Sequence, residues 1–324
     1  TLIVNVQSDY ASLGYPAKYP SMTHSLVQIS APALETLLRY DETGKPAPFL
    51  AESFETDADA MTITLHLREG VKFHDGSVLD AETVKWNLEN HIRESSAGAL
   101  KAESIECPDE STVVIKLKEW SSTATGTLCT GGGLMISKAA VEANGVEWAQ
   151  ENPVGTGAYR FVSHEKDVKV VYEKFDDYWQ EGKPYLDGIQ IVFNNDQTVR
   201  ILKFRNKEYD VVVRAKTADC LALAEEGYTY QYSPAGTVPV TLLYASLDET
   251  SPLANAKVRE AISHAVDVDA IIDSIYYGAQ TRTNQYAYPG HWGYDDSIEL
   301  PEYDPELAKT LLKEAGYEKG FETT

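Results

Sequence analysis

Signals for strands and helices alternate along most of this sequence, and that alternation limits the fold more than any other feature does. In MTITLHL (61–67), Met61, Ile63, Leu65 and Leu67 alternate with polar residues, the pattern of a half-buried strand. Further strands are predicted at 1–7, at 111–118, at 188–194 and, compact and buried, at 209–215, with a two-stranded hairpin at 158–175. The alternation predicts an α/β fold with mixed sheets.

Helix signals are clear where a capping residue precedes an apolar repeat. After Asp80, the residues Val84, Leu88 and Ile92 recur at helical spacing. Asp is a good first cap because its carboxylate accepts hydrogen bonds from the free N–H groups of the first turn. A helix is therefore predicted to begin directly after Asp80.

Toward its end the sequence becomes mostly helical. Apolar spacing predicts two consecutive helices over 255–279, with a break at the DVD of 267–269. One more helix is predicted after Asp304, with Pro305 at its first position and Gly316 closing it.

The length of 324 residues corresponds to about two domains, each large enough for its own core. No internal repeat, low-complexity tract or long linker interrupts the sequence. We predict the main boundary near 244–253, where strand patterns give way to helical ones.

The charge balance excludes some classes of partner. Lys and Arg number 28 against 50 Asp and Glu, so the net charge is -22. Such a surface repels phosphate backbones and anionic lipid, and we expect no nucleic-acid partner. No apolar stretch approaches the roughly 20 residues that span a bilayer. If the protein is exported, we expect its targeting segment to have been removed.

Motifs for metal binding and nucleophilic catalysis are missing from the sequence. The seven histidines include no HxH or HExxH pair, and the three cysteines form no CxxC. There is no GxSxG elbow or Walker-type phosphate loop. The sequence therefore predicts neither a metal nor a cofactor. A hydrolase that uses a carboxylate pair, or Cys129 with a distant histidine, stays an alternative.

Two other features could serve ligand binding. TGGG (130–133) leaves a stretch of backbone without side chains, as close approach of a ligand or another chain requires. Twenty tyrosines stand against eight phenylalanines, and Tyr10, Tyr15 and Tyr19 follow the first predicted strand. Loops beyond the carboxyl ends of strands bind ligands in open α/β sheets.

The segment REGVKFHDG (68–76) concentrates ionisable residues around two glycines. From its composition alone it could be an active site, a metal site or a charged turn. Its place in a longer pattern decides among these interpretations.

Three separated stretches, 48–89, 152–191 and 252–279, carry that pattern. They contain PFLAESF with LREGVKFHDG, then GTGAY with DDYWQEGKPYLDG, then PLANAKVREAISHAVDVDAI. In order and spacing they resemble the extracytoplasmic solute-binding proteins of peptide and nickel ABC transporters, family 5, of the dipeptide- and oligopeptide-binding type.

The resemblance implies a two-lobed periplasmic-binding-protein fold of the Venus-flytrap type II, with mixed sheets. Residues 1–45 and 158–245 would form the core of the first lobe, with 46–157 as its subdomain. Residues 246–324 would begin a second lobe, which we expect to be incomplete because family members continue beyond this point.

The resemblance also implies a function. A monomeric, non-enzymatic protein would bind an extracellular solute, here a peptide, in a cleft between the lobes and deliver it to ABC transporter permease subunits. It would be extracytoplasmic, in the periplasm or as a cell-surface lipoprotein. A sensor that presents its ligand to a receptor stays an alternative alongside the hydrolase.

Family ligand contacts, carried over to this chain, fall on two tyrosines near the first strand, on the glycine run and in the neighbourhood of Tyr244 and Trp292. They are Tyr10, Tyr15, Thr130, Gly131, Gly132, Gly133, Tyr244 and Trp292.

The resemblance makes REGVKFHDG structural. We expect its two glycines to supply turns, Val71 and Phe73 to face inward, and Arg68 to pair with Asp75.

Overall fold

The computed structural model describes residues 1–9, 12–18, 29–94, 100–231, 248–285 and 287–322. Two of the predicted ligand contacts, Tyr10 and Tyr244, lie outside these residues. The chain divides into two compact units, Thr1–Arg214 and Ala215–Thr324. The lobe boundaries given above stay predictions.

Both units are built from short elements. The strands of the described residues are β1 Leu2–Val6, β2 Glu35–Thr36, β3 Leu38–Tyr40, β4 Pro46–Pro48, β5 Ala51–Asp57, β6 Thr62–Leu67, β7 Ala102–Glu106, β8 Thr112–Leu117, β9 Leu134–Met135, β10 Tyr159–Glu165, β11 Lys169–Lys174, β12 Gly188–Phe193 and β13 Val211–Val212. The helices are α1 Ala81–Arg93, α2 Ala124–Leu128, α3 Lys138–Asn144, α4 Val146–Glu151, α5 Gln197–Arg205, α6 Thr217–Glu225, α7 Ala256–Ala265, α8 Val268–Tyr276 and α9 Pro305–Glu314. Short 3-10 turns lie at Pro16–Lys18, Gly131–Gly133 and Pro252–Ala254. None of these helices is long and apolar enough to cross a membrane.

The first unit contains a five-stranded sheet in the order β10-β11-β12-β1-β13. β1 runs parallel to both β12 and β13, whereas β10, β11 and β12 pair antiparallel. Val6, Val170, Tyr172 and Ile191 are buried in the core beside this sheet. The sheet is mixed, and the predicted α/β class is confirmed.

The prediction of a compact buried strand at 209–215 is wrong in extent and in burial. Only Val211–Val212 pairs with β1, and Val211 is 38% exposed. β13 is the outermost strand of the sheet as described. It ends early because Arg214 takes a φ of +57°, in the left-handed region that a strand cannot continue through.

The first unit also contains a four-stranded antiparallel sheet, in the order β5-β6-β8-β7. The alternation that predicts β6 is confirmed, because Ile63 and Leu65 are fully buried in its core. Val84 and Leu88 of α1 belong to the same core. Asp80 caps α1 as predicted, since its carboxylate accepts from the amide of Thr83 at 2.7 Å.

The second unit is helical in the residues described. α7 and α9 pack together, with Ala261, Ala308 and Leu311 forming a small core. The two helices predicted over 255–279 are confirmed as α7 and α8. Asp267 in the break caps α8 by accepting from the amide of Ala270 at 2.9 Å.

The caps predicted for the last helix are confirmed. The Asp304 carboxylate accepts from the amides of Glu306 and Leu307 at 3.0 and 2.9 Å. Gly316 follows the helix with a φ of +87°, the conformation that glycine supplies at a helix end.

Candidate functional site

The carboxyl ends of three parallel strands meet at one edge of the five-stranded sheet. β1 lies between β12 and β13, so the chain leaves all three strands on the same side. We call residues 7–9, 194–196 and 213–214 the carboxyl edge. In open α/β sheets, ligands bind outside the carboxyl ends of strands where the connections diverge. The carboxyl edge is therefore the candidate ligand site of the first unit.

Arg200 fixes the strands behind this edge. Its side chain is fully buried, and its Nε donates to Asn5 Oδ1 on β1 at 2.5 Å. Its other nitrogens donate to Gln197 Oε1 at 3.2 Å and to the carbonyl oxygen of Val213. Burial lowers the pKa of Arg200 from its ordinary value. Because its partners are neutral oxygens, Arg200 holds β1, β13 and α5 in register while keeping its charge inside the unit.

Asp9, the last residue described before position 10, is also held. The Asp9 carboxylate is only 3% exposed, and its Oδ2 lies 2.7 Å from His164 Nε2. The backbone amide of Asp167 donates to the same oxygen at 2.7 Å. Both partners belong to the β10–β11 hairpin, so the carboxyl edge is anchored on one flank by a buried acid.

The structure brings two of the predicted contact regions together. Tyr15 lies in the same hydrophobic core as Val6 at the end of β1 and Leu134, which follows the glycine run. The 3-10 turn after Tyr15, Pro16–Lys18, packs against Gly131–Gly133. Their role as ligand contacts stays a prediction.

The Tyr15 side chain is only 3% exposed, because it packs into the hydrophobic core of the first unit. Burial raises the pKa of Tyr15, and the nearby Arg93 guanidinium, which donates to the hydroxyl, partly offsets that rise. In this conformation Tyr15 stabilises the candidate site by packing in the hydrophobic core.

The glycine run has two different causes. At Gly133 an added Cβ would lie 2.0 Å from the carbonyl oxygen of Leu128, so this glycine is required by close approach of its own chain. Gly132 is buried and Gly131 is partly exposed, while Thr130 is exposed and donates its hydroxyl to Thr127 at 3.2 Å. The ligand contacts predicted at Thr130, Gly131, Gly132 and Gly133 stay predictions.

Trp292 lies in the second unit. Its ring is 60% exposed and packs against His291 with ring centroids 5.7 Å apart. His291 in turn packs edge-on against Tyr288 at 5.2 Å. The cluster presents an apolar aromatic surface, and its ligand contact stays a prediction.

The predicted turns and inward-facing residues of REGVKFHDG are confirmed, but one of its predicted contacts is wrong. Val71 and Phe73 are fully buried, and the glycines at 70 and 76 have φ of +74° and +86°. Arg68 does not pair with Asp75. Instead the Arg68 Nε donates to the Phe49 carbonyl at 2.6 Å, and its guanidinium lies 4.9 Å from the Trp179 ring centre.

Asp75 and His74 have other partners, which the sequence did not indicate. The Asp75 carboxylate accepts from the hydroxyls of Ser77 and Ser137. His74 donates its backbone amide to Gly155 at 2.9 Å, and its Nε2 lies 2.8 Å from the Gly157 carbonyl. Burial lowers the pKa of His74. This histidine therefore binds the GTGAY turn as a neutral side chain.

Glu35 is a buried acid that the sequence did not single out, and it forms hydrogen bonds with the remaining motif residues. Glu35 accepts from Thr156 Oγ1 at 2.8 Å, from the Tyr178 hydroxyl at 2.7 Å and from Trp179 Nε1 at 3.0 Å. Burial raises the pKa of Glu35, and these three donors partly offset the rise. We call Glu35, Thr156, Tyr178 and Trp179 the Glu35 cluster.

The cysteines lack the features of activated nucleophiles. Burial raises the pKa of Cys129 to about 12 and that of Cys107 to about 11. A nucleophilic thiol requires a lowered pKa, so Cys129 does not have the electrostatic surroundings of the hydrolase alternative. No group of three or more His, Cys, Asp or Glu residues in the described ranges could hold a metal ion.

Comparison with known proteins places these features in a family. The family model "Bacterial extracellular solute-binding proteins, family 5 Middle" matches residues 45–324. The Escherichia coli K12 dipeptide-binding protein is 31% identical over 306 residues, a match spanning 86% of this chain and 56% of that protein. The glutathione-binding protein GsiB of Pectobacterium atrosepticum is 33% identical over 303 residues, spanning 89% and 56%.

A solved structure extends the likeness to the fold. The periplasmic binding protein DppA from Helicobacter pylori, in complex with the peptide STSA, superposes with a TM-score of 0.76 at 25% identity. The match covers 99% of this chain and 67% of that one. The predicted periplasmic-binding-protein fold class and the predicted family are confirmed. The chain belongs to family 5 of the bacterial extracellular solute-binding proteins.

Proposed function

We propose that the protein binds an extracellular peptide and delivers it to the permease subunits of an ABC transporter. The observation that carries this proposal is the family match over residues 45–324. The site that suits it in the first unit is the carboxyl edge, where three parallel strands end together.

A peptide is the ligand class best supported by the relatives. The E. coli relative is named for dipeptides, the P. atrosepticum relative for glutathione, and the H. pylori structure holds a tetrapeptide. The chain spans just over half the length of the first two relatives. Peptides suit such a site because their backbone groups provide hydrogen bonds that tolerate varied side chains.

The proposal also covers catalysis and cellular location. The protein acts without catalysis, and the raised pKa of Cys129 counts against the thiol form of the hydrolase alternative. It works outside the cytoplasm as a monomer, in the periplasm or attached to the cell surface as a lipoprotein. Its ligand contacts are Tyr10, Tyr15, Thr130, Gly131, Gly132, Gly133, Tyr244 and Trp292.

Thermal unfolding in the presence of candidate ligands tests the proposal. The probes are the tetrapeptide STSA, the dipeptide Ala-Ala and reduced glutathione, with maltose and a nickel–histidine complex as non-peptide ligands. A ligand that binds only the folded protein, at about 100 times its dissociation constant, adds about 2.7 kcal/mol to the free energy of unfolding. For a protein of this size, we expect the midpoint to rise by about 5 to 10 °C.

At least one peptide should shift the midpoint, and maltose should not. A shift by the nickel complex with no shift by any peptide would overturn the peptide assignment. No shift by any of the probes would contradict the proposal as a whole.

A further inference from the structure

The Asp9 carboxylate occupies an unusual position for a buried acid. It follows the exposed residues Gln7 and Ser8 at the carboxyl edge, yet its side chain is only 3% exposed. Burying a carboxylate is unfavourable unless hydrogen bonds replace its water. Here His164 Nε2 and the Asp167 amide supply two of those bonds, both at 2.7 Å.

The two donors come from a rigid part of the fold. His164 lies near the end of β10, and Asp167 forms the turn to β11 with a φ of +60°. The turn is closed by the Val168 amide, which donates to Glu165 at 3.0 Å, and the Phe193 amide donates to Val168 at 3.0 Å. The hairpin turn is therefore fixed to the end of β12.

The His164 ring is fixed from a second side. It packs edge-on against the Phe193 ring, with centroids 6.4 Å apart, and it is 16% exposed. Since its position is determined by this packing, its Nε2 presents a preset partner to Asp9. The pair joins segments 155 residues apart in sequence.

The backbone before Asp9 is held differently. Up to Val6, the sheet ladder holds β1, and the Val6 carbonyl accepts from the Asn194 amide at 3.0 Å. Gln7 and Ser8 are exposed and lie beyond the strand pairs. The next described anchor of this segment is the Asp9 carboxylate.

We propose that Asp9 and His164 are positioning residues, which hold the segment at 7–9, where the chain leaves β1, in the conformation that binds the ligand. This inference rests on the proposed function, because it assigns the segment to the ligand site. It adds a role for the β10–β11 hairpin, whose residues were not among the predicted contacts. Neither residue needs to touch the ligand.

Four variants of the full-length protein test the proposal. Asp9→Asn and His164→Ala each remove one side of the pair, whereas His164→Gln keeps an N–H donor near the same place. Glu173→Gln is the matched control, because it breaks the exposed Arg160–Glu173 ion pair on the same hairpin. Each variant is measured for its dissociation constant with STSA, Ala-Ala and glutathione, for its thermal midpoint, and for amide hydrogen exchange over 3–18 and 159–175.

We expect Asp9→Asn and His164→Ala to raise the dissociation constant by about tenfold or more, because either change leaves a buried partner unsatisfied. His164→Gln should recover most of the affinity lost in His164→Ala, and amide exchange over 7–18 should rise by about tenfold in the two disruptive variants. Glu173→Gln should leave affinity and exchange within about twofold of wild type.

Unchanged affinity and exchange in Asp9→Asn and His164→Ala would overturn the proposal, as would equal losses in Glu173→Gln. If Asp9→Asn does not fold, the two His164 variants decide the question. If the wild-type protein binds none of the probes, the proposed function fails, and exchange over 7–18 alone decides the positioning role.

Discussion

Two buried carboxylates, Glu35 and Asp9, each join segments of the first unit that lie far apart in sequence. Glu35 accepts from three neutral side chains in the interior, whereas Asp9 accepts from a histidine and a backbone amide at the carboxyl edge. Glu35 therefore links segments within the core. Asp9 holds the start of a segment that we assign to ligand binding.

The difference explains which parts of the sequence identify the family. The motif residues Thr156, Tyr178 and Trp179 all donate to Glu35, and His74 of REGVKFHDG binds the same glycine turn. The carboxyl edge contains no comparable motif. The recognisable stretches therefore report how the chain folds, and the ligand site must be located from topology.

Among the changes near Glu35, Gly155→Ala should cause the largest loss of stability. An added Cβ would lie 2.1 Å from the Ala33 carbonyl oxygen and 2.8 Å from Leu34 Cδ2. Because backbone cannot move aside easily, we expect a loss of about 3 kcal/mol in the free energy of urea unfolding.

Gly293→Ala is the control, because its Cβ would meet only the His291 ring at 3.5 Å, an ordinary contact. It should change the free energy of unfolding by less than about 0.5 kcal/mol. An equally small loss in Gly155→Ala would contradict the account of the glycine turn.

Glu35→Gln should have a smaller and pH-dependent effect. An amide cannot accept from all three donors, so we expect a loss of about 1 to 3 kcal/mol near neutral pH. Burial raises the pKa of Glu35 in the folded protein above its ordinary 4.5. In the pH window between the ordinary pKa and the raised pKa, the folded state therefore binds more protons than the unfolded state. The Glu35 contribution to stability is then greatest at low pH and falls as pH rises through this window.

Urea unfolding of wild type and Glu35→Gln from pH 4 upward measures that contribution as the difference between the two curves. The gap should narrow as pH rises through the window and then stay constant. Glu55→Gln, on an exposed position of β5, should give no such gap. A gap that widens with pH would mean that the pKa of Glu35 is lowered in the folded protein.

The elements that the sequence predicts correctly depend on local chemistry. Asp80 and Asp304 cap their helices through amides two or three residues away, and the alternation in β6 follows from one buried face. The resemblance to the family supplied the rest of the architecture. In both cases the information lies within short stretches of sequence.

The failures concern contacts that only the fold creates. Arg68 was expected to bind Asp75 nearby, but Phe49 and Trp179 approach it from other segments. Glu35 looks like any surface acid, because its donors follow more than 120 residues later. Arg200 lies between Val199 and Ile201, and its burial depends on Asn5 at the other end of the unit.

The candidate site divides in the same way. Two of the predicted contact regions, Tyr15 after β1 and the glycine run, do lie in one region of the structure. The sequence could not show that Tyr15 faces Arg93, or that Gly133 is required by Leu128. Both depend on side-chain packing between segments.

The dissociation constant for a peptide in His74→Ala and Gly132→Leu tests the central claim most directly, namely that the motif is structural and the site lies elsewhere. His74→Ala should lower the thermal midpoint, because it removes the bond to Gly157, and leave the constant for STSA within about twofold of wild type. Gly132→Leu should raise the constant by about tenfold or more, because it adds a bulky side chain at a position that we predict to contact the ligand. The opposite pattern, weak binding in His74→Ala and normal binding in Gly132→Leu, would contradict the account.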